Sequence, residues 1–180
     1  MKTLALITAI AATGHDDDLA PLLRTCADAG IHARVVAWDD TTVSWSRYDA
    51  ALLRSPWDYT ERLPEFLAWC ERVAATTVLH NPLHVIRWNT DKHYLGDLAA
   101  MDVPVVPTQF VEADAEPLEA LQAFLAAYSA EELVVKPAVS AGARDTQRYA
   151  RSQEFAASNH IARLLDAGRS VMLQPYLRAV

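Results

Sequence analysis

The stretch that most limits what this chain can fold into is Leu133-Val134-Val135-Lys136-Pro137, followed by Ala138-Val139-Ser140-Ala141-Gly142-Ala143-Arg144-Asp145-Thr146. A short β-branched run brings a lysine to the end of a strand, a proline is expected to end the ladder there, and a small-residue loop follows. Such a loop lays backbone N–H groups beside a phosphate. Ser140, Ala141 and Gly142 are small enough for close approach, and Lys136 adds a point charge. A surface turn behind a solvated lysine fits the same residues, so other stretches must decide.

Upstream, apolar runs at Leu4–Thr8, Ala33–Trp38, Ala50–Leu53 and Thr77–Leu79 predict four strands. Between them, Leu19, Leu22, Leu23 and Cys26 recur at helical spacing up to Gly30, as do Leu63, Phe66, Leu67, Cys70 and Val73. Asp16-Asp17-Asp18 complements the dipole of the first helix; a metal site with His15 is the alternative. Helical spacing returns from Leu83 to Met101, with a helix starting near Asn89 or Thr90 that carries Lys92 and buries Leu95 and Leu98. Val103-Pro104-Val105-Val106-Pro107-Thr108 is forced to be extended.

After it come an extended Gln109–Val111, a helix Pro117–Tyr128 with Leu118, Leu121 and Leu125 on one face, and the strand ending at Lys136. A strand Thr146–Ala150 follows, then a helix Ser152–Leu165 burying Phe155, Ile161, Leu164 and Leu165, and a strand Val171–Gln174. The expected class is α/β. An open, mostly parallel, Rossmann-like sheet domain at 1–90 precedes a smaller α+β subdomain at 91–180.

With 180 residues, 52% of them hydrophobic, the chain can bury a substantial core, and a net charge of −7 argues against nucleic acid or an anionic membrane as partner. A small anion needs only a few local cations, which Lys92, Lys136, Arg144 and Arg148 could supply. Cys26 and Cys70 lack zinc-site spacing and read as buried thiols, which favours the cytoplasm. The apolar run from Thr3 to Ala12 reads as a first strand rather than a signal peptide.

Arg54-Ser55-Pro56-Trp57-Asp58-Tyr59 follows the third strand. Ligands of doubly wound sheets collect at the carboxyl ends of strands, so Arg54, Ser55, Trp57, Asp58 and Tyr59 are candidates for gripping a polar substrate. The alternative makes Trp57 and Tyr59 a packed cap over the next helix, with Asp58 or Thr60 as its N-cap.

Taken in order, Lys92, Lys136, the loop Ser140–Gly142 and the strand end Leu173-Gln174-Pro175-Tyr176-Leu177 resemble the ATP-grasp ligases. Arg87-Trp88-Asn89-Thr90-Asp91-Lys92-His93-Tyr94-Leu95, the loop at Arg54, Pro107-Thr108 and Val134-Val135-Lys136-Pro137 resemble the branch that contains the cycloserine-forming cyclo-ligase acting on O-ureido-serine. The resemblance implies a pre-ATP-grasp domain followed by the ATP-grasp N-terminal subdomain. Lys92 and Lys136 would hold nucleotide phosphates, Ser140, Ala141 and Gly142 would fold over them, and Gln174, Pro175, Tyr176 and Leu177 would read adenine.

It further implies ATP and Mg2+ as cofactors and a small amino-acid-like carboxylate, activated as an acyl-phosphate and captured by an amine, with ring closure as in cycloserine formation. Two departures stand out. The loop has a single glycine, Gly142, and the family's magnesium ligands belong to a third unit that would lie beyond Val180, so no catalytic or metal residue is assigned. A chain ending here is expected to be inactive alone and to self-associate through uncovered apolar surface. A non-catalytic nucleotide-binding module is the competing reading.

Overall fold

The computed structural model describes residues 2–178, and the chain divides into two compact units, Met1–Trp88 and Asn89–Val180. In the first, strands β1 (Thr3–Thr8), β2 (His32–Ala37), β3 (Ala50–Ser55) and β4 (Val78–His80) form a parallel sheet in the order β2-β1-β3-β4. Parallel strands need crossovers: α1 (Leu19–Asp28) lies between β1 and β2 and α2 (Leu63–Ala74) between β3 and β4, while β2 reaches β3 through a loop with one short turn at Trp45–Arg47; α3 (Leu83–Asn89) follows β4. Interior β1 is buried on both faces at Ala5, Leu6 and Ile7, which explains its unbroken apolar run. The core gathers Phe66, Trp69, Cys70 and Val73 of α2 against Ile7, Ala51 and Trp38, with Trp38 and Phe66 edge to face at 5.4 Å. The strands are added outward in opposite directions from β1 and β3, which are parallel neighbours, so the loops after these two strands open the crevice where ligands of such sheets gather.

The second unit contains α4 (Tyr94–Ala100), β5 (Gln109–Val111), α5 (Pro117–Ala127), β6 (Glu132–Pro137), β7 (Gln147–Ala150), α6 (Glu154–Asp166) and β8 (Val171–Pro175). Its antiparallel sheet runs β5-β8-β6-β7. Alternation along β6 sends Leu133 and Val135 into a core with Leu121, Phe124, Ile161 and Leu164 of α5 and α6. Glu132, Val134 and Lys136 therefore share the opposite face, with Met172 and Gln174 paired beside them on β8.

Several expectations are corrected. Pro137 does not end the ladder: it pairs with Val171, and Ala138 N–H continues it to Ser170 O at 2.8 Å. The bonds from Ala138 and from Tyr176 N–H to Glu132 O (2.9 Å) set the ladder's phase, so even-numbered residues of β6 bond to β8. Pro137 and Pro175 fall on the alternate positions, where their missing N–H groups cost the β6–β8 pairing nothing.

The helix expected to start near Asn89 or Thr90 starts at Tyr94, and Lys92 lies in a turn at Thr90–His93, because the Asp91 carboxylate accepts His93 N–H (3.1 Å) in competition with helical bonding. Leu95 and Leu98 are only half-buried. Phe155 is 81% exposed, since α6 begins at Glu154 and turns Ala157, Ile161 and Leu164 inward instead. Leu118 is exposed, and Phe124 takes its place in the core. The residue before α2 is Arg62, not Asp58 or Thr60, and a short turn at Trp57–Thr60 intervenes. Cys26 and Cys70 are buried free thiols, and burial pushes the Cys70 thiol up to about 12. Among the described residues no helix is long and apolar enough to cross a membrane.

Candidate functional site

In the first unit, Arg54 at the end of β3 reaches back to the loop after β1. Its Nη2 donates to Asp16 Oδ1 (3.1 Å) and to Asp18, and its Nε lies 3.0 Å from Asp16 Oδ2. Asp16 is buried, so the pair is a fixed part of the fold. Ser55 is fully buried and donates to Thr8 Oγ1 at 3.1 Å. Asp58 accepts from Trp38 Nε1 (2.8 Å) and Arg62 (3.2 Å), and Tyr59 packs on Phe66 at 5.5 Å. Trp57 presents an exposed ring. Among the described residues no three His, Cys, Asp or Glu side chains gather to hold a metal ion, at His15 and its aspartates or elsewhere.

In the second unit, the turn before α4 delivers Lys92 to the loop after β6. The Lys92 ammonium donates to Ala138 O (3.2 Å), Ser140 O (2.8 Å) and Ser140 Oγ (2.9 Å), a partner for each of its three protons. Its backbone N–H also donates to Ala138 O at 3.1 Å. Lys136 is different. Half-buried on the sheet's second face, its ammonium makes no hydrogen bond or ion pair among the described residues. Burial pushes its pKa below the usual lysine value. Burial and then the charge of Lys136 push Lys92 down too, with Asp91 opposing. Two cations therefore lie near each other, and among the described residues neither is paired with an anion.

Around them, Gly142, Ala143 and Asp145 adopt left-handed backbone at φ 60°, 56° and 53°. Gln174 is buried and donates to Thr108 Oγ1 (2.7 Å); Pro175 lies within β8; Tyr176 N–H is engaged by Glu132 O. Leu177 follows, exposed. Arg148 is tied to Glu132 and stacks over the Tyr176 ring at 3.7 Å, so it is not a spare cation.

Sequence reasoning passed over a neighbouring network. His93 bridges Asp91 Oδ1 (2.6 Å) and Glu112 Oε1 (2.9 Å), stacks on Phe110 at 4.0 Å, and Ser170 Oγ donates to Glu112 (2.6 Å). Burial opposes the His93 charge, but the hydrogen bonds to Asp91 and Glu112 outweigh it and raise its pKa. The run Asn89-Thr90-Asp91, rich in residues that bond to nearby backbone, was the signal available for this turn. Nothing local marks Glu112 or Ser170.

Residues 4–81 match the family model for the D-cycloserine synthetase DcsG N-terminal domain. The cycloserine biosynthesis protein DcsG of Streptomyces lavendulae is 49% identical over 181 residues, covering 100% of this chain and 60% of that protein. A crystal structure of D-cycloserine synthetase DcsG superposes with a TM-score of 0.91 at 49% identity, covering 97% of this chain and 59% of that one. A RimK domain ATP-grasp protein from Sphaerobacter thermophilus reaches 0.69 at 20% identity, over 97% of this chain and 64% of its own. The chain thus spans about three-fifths of the length of these relatives. Its sequence along the whole length makes it a close homologue of the cycloserine biosynthesis protein DcsG, and its α/β units have the fold of the ATP-grasp ligases.

Proposed function

We propose that these residues form the substrate- and nucleotide-binding part of an ATP-dependent carboxylate–amine ligase that activates a small amino-acid-like carboxylate as an acyl-phosphate, with ring closure as in cycloserine formation. The observation that carries the reading is the uncompensated Lys136 ammonium beside Lys92. Two neighbouring ammonium groups, both disfavoured by burial and Lys92 also by the charge of Lys136, gain most from a polyanion that neutralises them together. ATP phosphates fit that demand. Lys136 would take phosphate oxygens directly, whereas Lys92 would exchange Ser140 for them, loosening the small-residue loop as it does so. Since Tyr176 N–H is already engaged, backbone contact with adenine falls to Leu177.

Arg54 would receive the substrate carboxylate by releasing the exposed Asp18 while keeping Asp16, and Trp57 would cover the substrate's apolar part. Magnesium supplies charge neutralisation at the phosphates in such chemistry, but the residues described do not fit a protein-held ion and none is assigned. The step then rests on positioning and charge. A cytoplasmic location belongs to the same proposal.

Calorimetric titration with ATP and magnesium tests it. Lys136→Ala is expected to lose roughly 1.5 to 3 kcal/mol of ATP binding, the range for a hydrogen bond to a charged group. Equal affinities for the two proteins would overturn the reading.

A further inference from the structure

We infer that Arg169 is a positioning residue that staples the 138–146 loop into the shape that receives the phosphates. The inference rests on the ATP reading for its ligand, but its geometry stands independently. Helix α6 ends in a glycine turn: Gly168 at φ 71° donates to Leu165 O (2.8 Å), and Arg169 N–H donates to Leu164 O (3.0 Å). These bonds fix the Arg169 backbone to the end of a thirteen-residue helix packed in the core. The next residue, Ser170, accepts Ala138 N–H at the root of the loop.

From this mount the guanidinium reaches both sides of the loop. Nη1 pairs with Asp145, and Nη2 approaches Val139 O at 3.4 Å. The Arg169 partner holds the Asp145 carboxyl below its usual range. Between the two contact points lie Gly142 and Ala143 in left-handed backbone, with turn bonds Arg144 N–H to Ala141 O (3.2 Å) and Thr146 N–H to Ala143 O (3.0 Å). Left-handed backbone at Ala143 and Asp145 is unfavourable without an outside restraint. Arg169 provides one from a rigid element. Lys92 restrains the same loop at Ala138 and Ser140, but under the proposed function it must let go when phosphate arrives. Arg169 touches none of the residues assigned to the nucleotide and can hold throughout.

An ordinary part-exposed ion pair would be worth little and would leave binding unchanged. The test therefore compares wild type, Arg169→Met, Arg169→Lys and Lys136→Ala by amide hydrogen exchange over residues 139–146, ATP titration and urea unfolding. Arg169→Met is expected to speed exchange in that loop and weaken ATP about three- to five-fold, the scale of a part-exposed charge pair. Arg169→Lys should restore part of both, with unfolding midpoints unchanged. Wild-type exchange in Arg169→Met overturns the inference, as does wild-type ATP affinity in Arg169→Met while Lys136→Ala binds weakly. If Lys136→Ala binds as wild type, the ATP reading falls and loop exchange alone decides the role of Arg169.

Discussion

The candidate-site cations of the two units are held in opposite ways. At the carboxyl ends of the first sheet, Arg54 is matched by Asp16 and Asp18, and Arg62 by Asp39, Asp58 and Glu65. In the second unit Lys136 stands, among the described residues, without a counter-ion beside another cation. A matched charge holds the fold together; an unmatched, half-buried one stores a demand that only a ligand meets. The comparison separates residues whose loss should damage folding from those whose loss should damage binding.

The largest effect that would break this contrast is in the first unit. Arg54→Met strands the buried Asp16 carboxylate and is expected to cost about 2 to 3 kcal/mol, toward the low end for a buried pair because Arg54 is part-exposed. Lys136→Met should change stability by no more than about 0.5 kcal/mol. Urea midpoints for both variants check it, and a costlier Lys136→Met would erase the distinction.

Titration sharpens the picture within the second unit. His160 is buried beside Tyr149, and burial and then Arg163 lower its pKa, with Asp145 opposing. The unfolded chain then binds the proton more readily, so stability should fall as pH drops below about 6.5, by at most about 1.4 kcal/mol per pH unit. His93 is shifted the other way, so its contribution is full below about pH 6.5 and is lost as pH rises through its raised value. His160→Gln should flatten the acid limb and His93→Gln the alkaline limb of an unfolding-versus-pH curve. An unchanged acid limb in His160→Gln would show that its ring is not held neutral by burial.

The smallest expected effect concerns the loop itself. Ala143→Gly removes left-handed strain and should stabilise the chain by about 0.5 to 1 kcal/mol. Thermal unfolding would detect it, and destabilisation would mean the Ala143 methyl has a packing role.

Much of the fold was legible in the sequence because strands and helices announce themselves by period. The buried stripe of α2 and the central run of β1 are local signals, as are the two lysines with their loop. What escaped depends on where a period starts or stops. Phe155 stands six residues before Ile161, off the 3.6-residue stripe of Ala157, Ile161 and Leu164, so the helix that buries Ala157 in its first turn leaves the Phe155 ring in solvent. The helical spacing from Leu83 to Met101 predicts a helix carrying Lys92, while the bond that the Asp91 carboxylate accepts from His93 N–H interrupts it. Arg54 and Asp58 illustrate a different limit, since the residue types suited to gripping a substrate equally suit pairing within the protein. Their partners Asp16, Asp18 and Trp38 lie too far away in sequence to be read. Arg169, Glu112 and Ser170 escaped for the same reason.

The two prolines of the second sheet act as rulers for their neighbours. Extending β7 backwards would set Asp145 opposite Pro137, and extending β5 backwards would set Pro107 opposite Pro175. Neither junction has the N–H the next rung needs from its proline. The β6–β7 seam cannot zip past Pro137 into residues 139–146, nor the β5–β8 seam past Pro175 into 103–107, whatever side chains those segments carry. Both loops are thereby kept as loops by backbone chemistry alone, and insertions or substitutions within them can alter length and specificity without sliding the strands that carry Lys136 and Gln174.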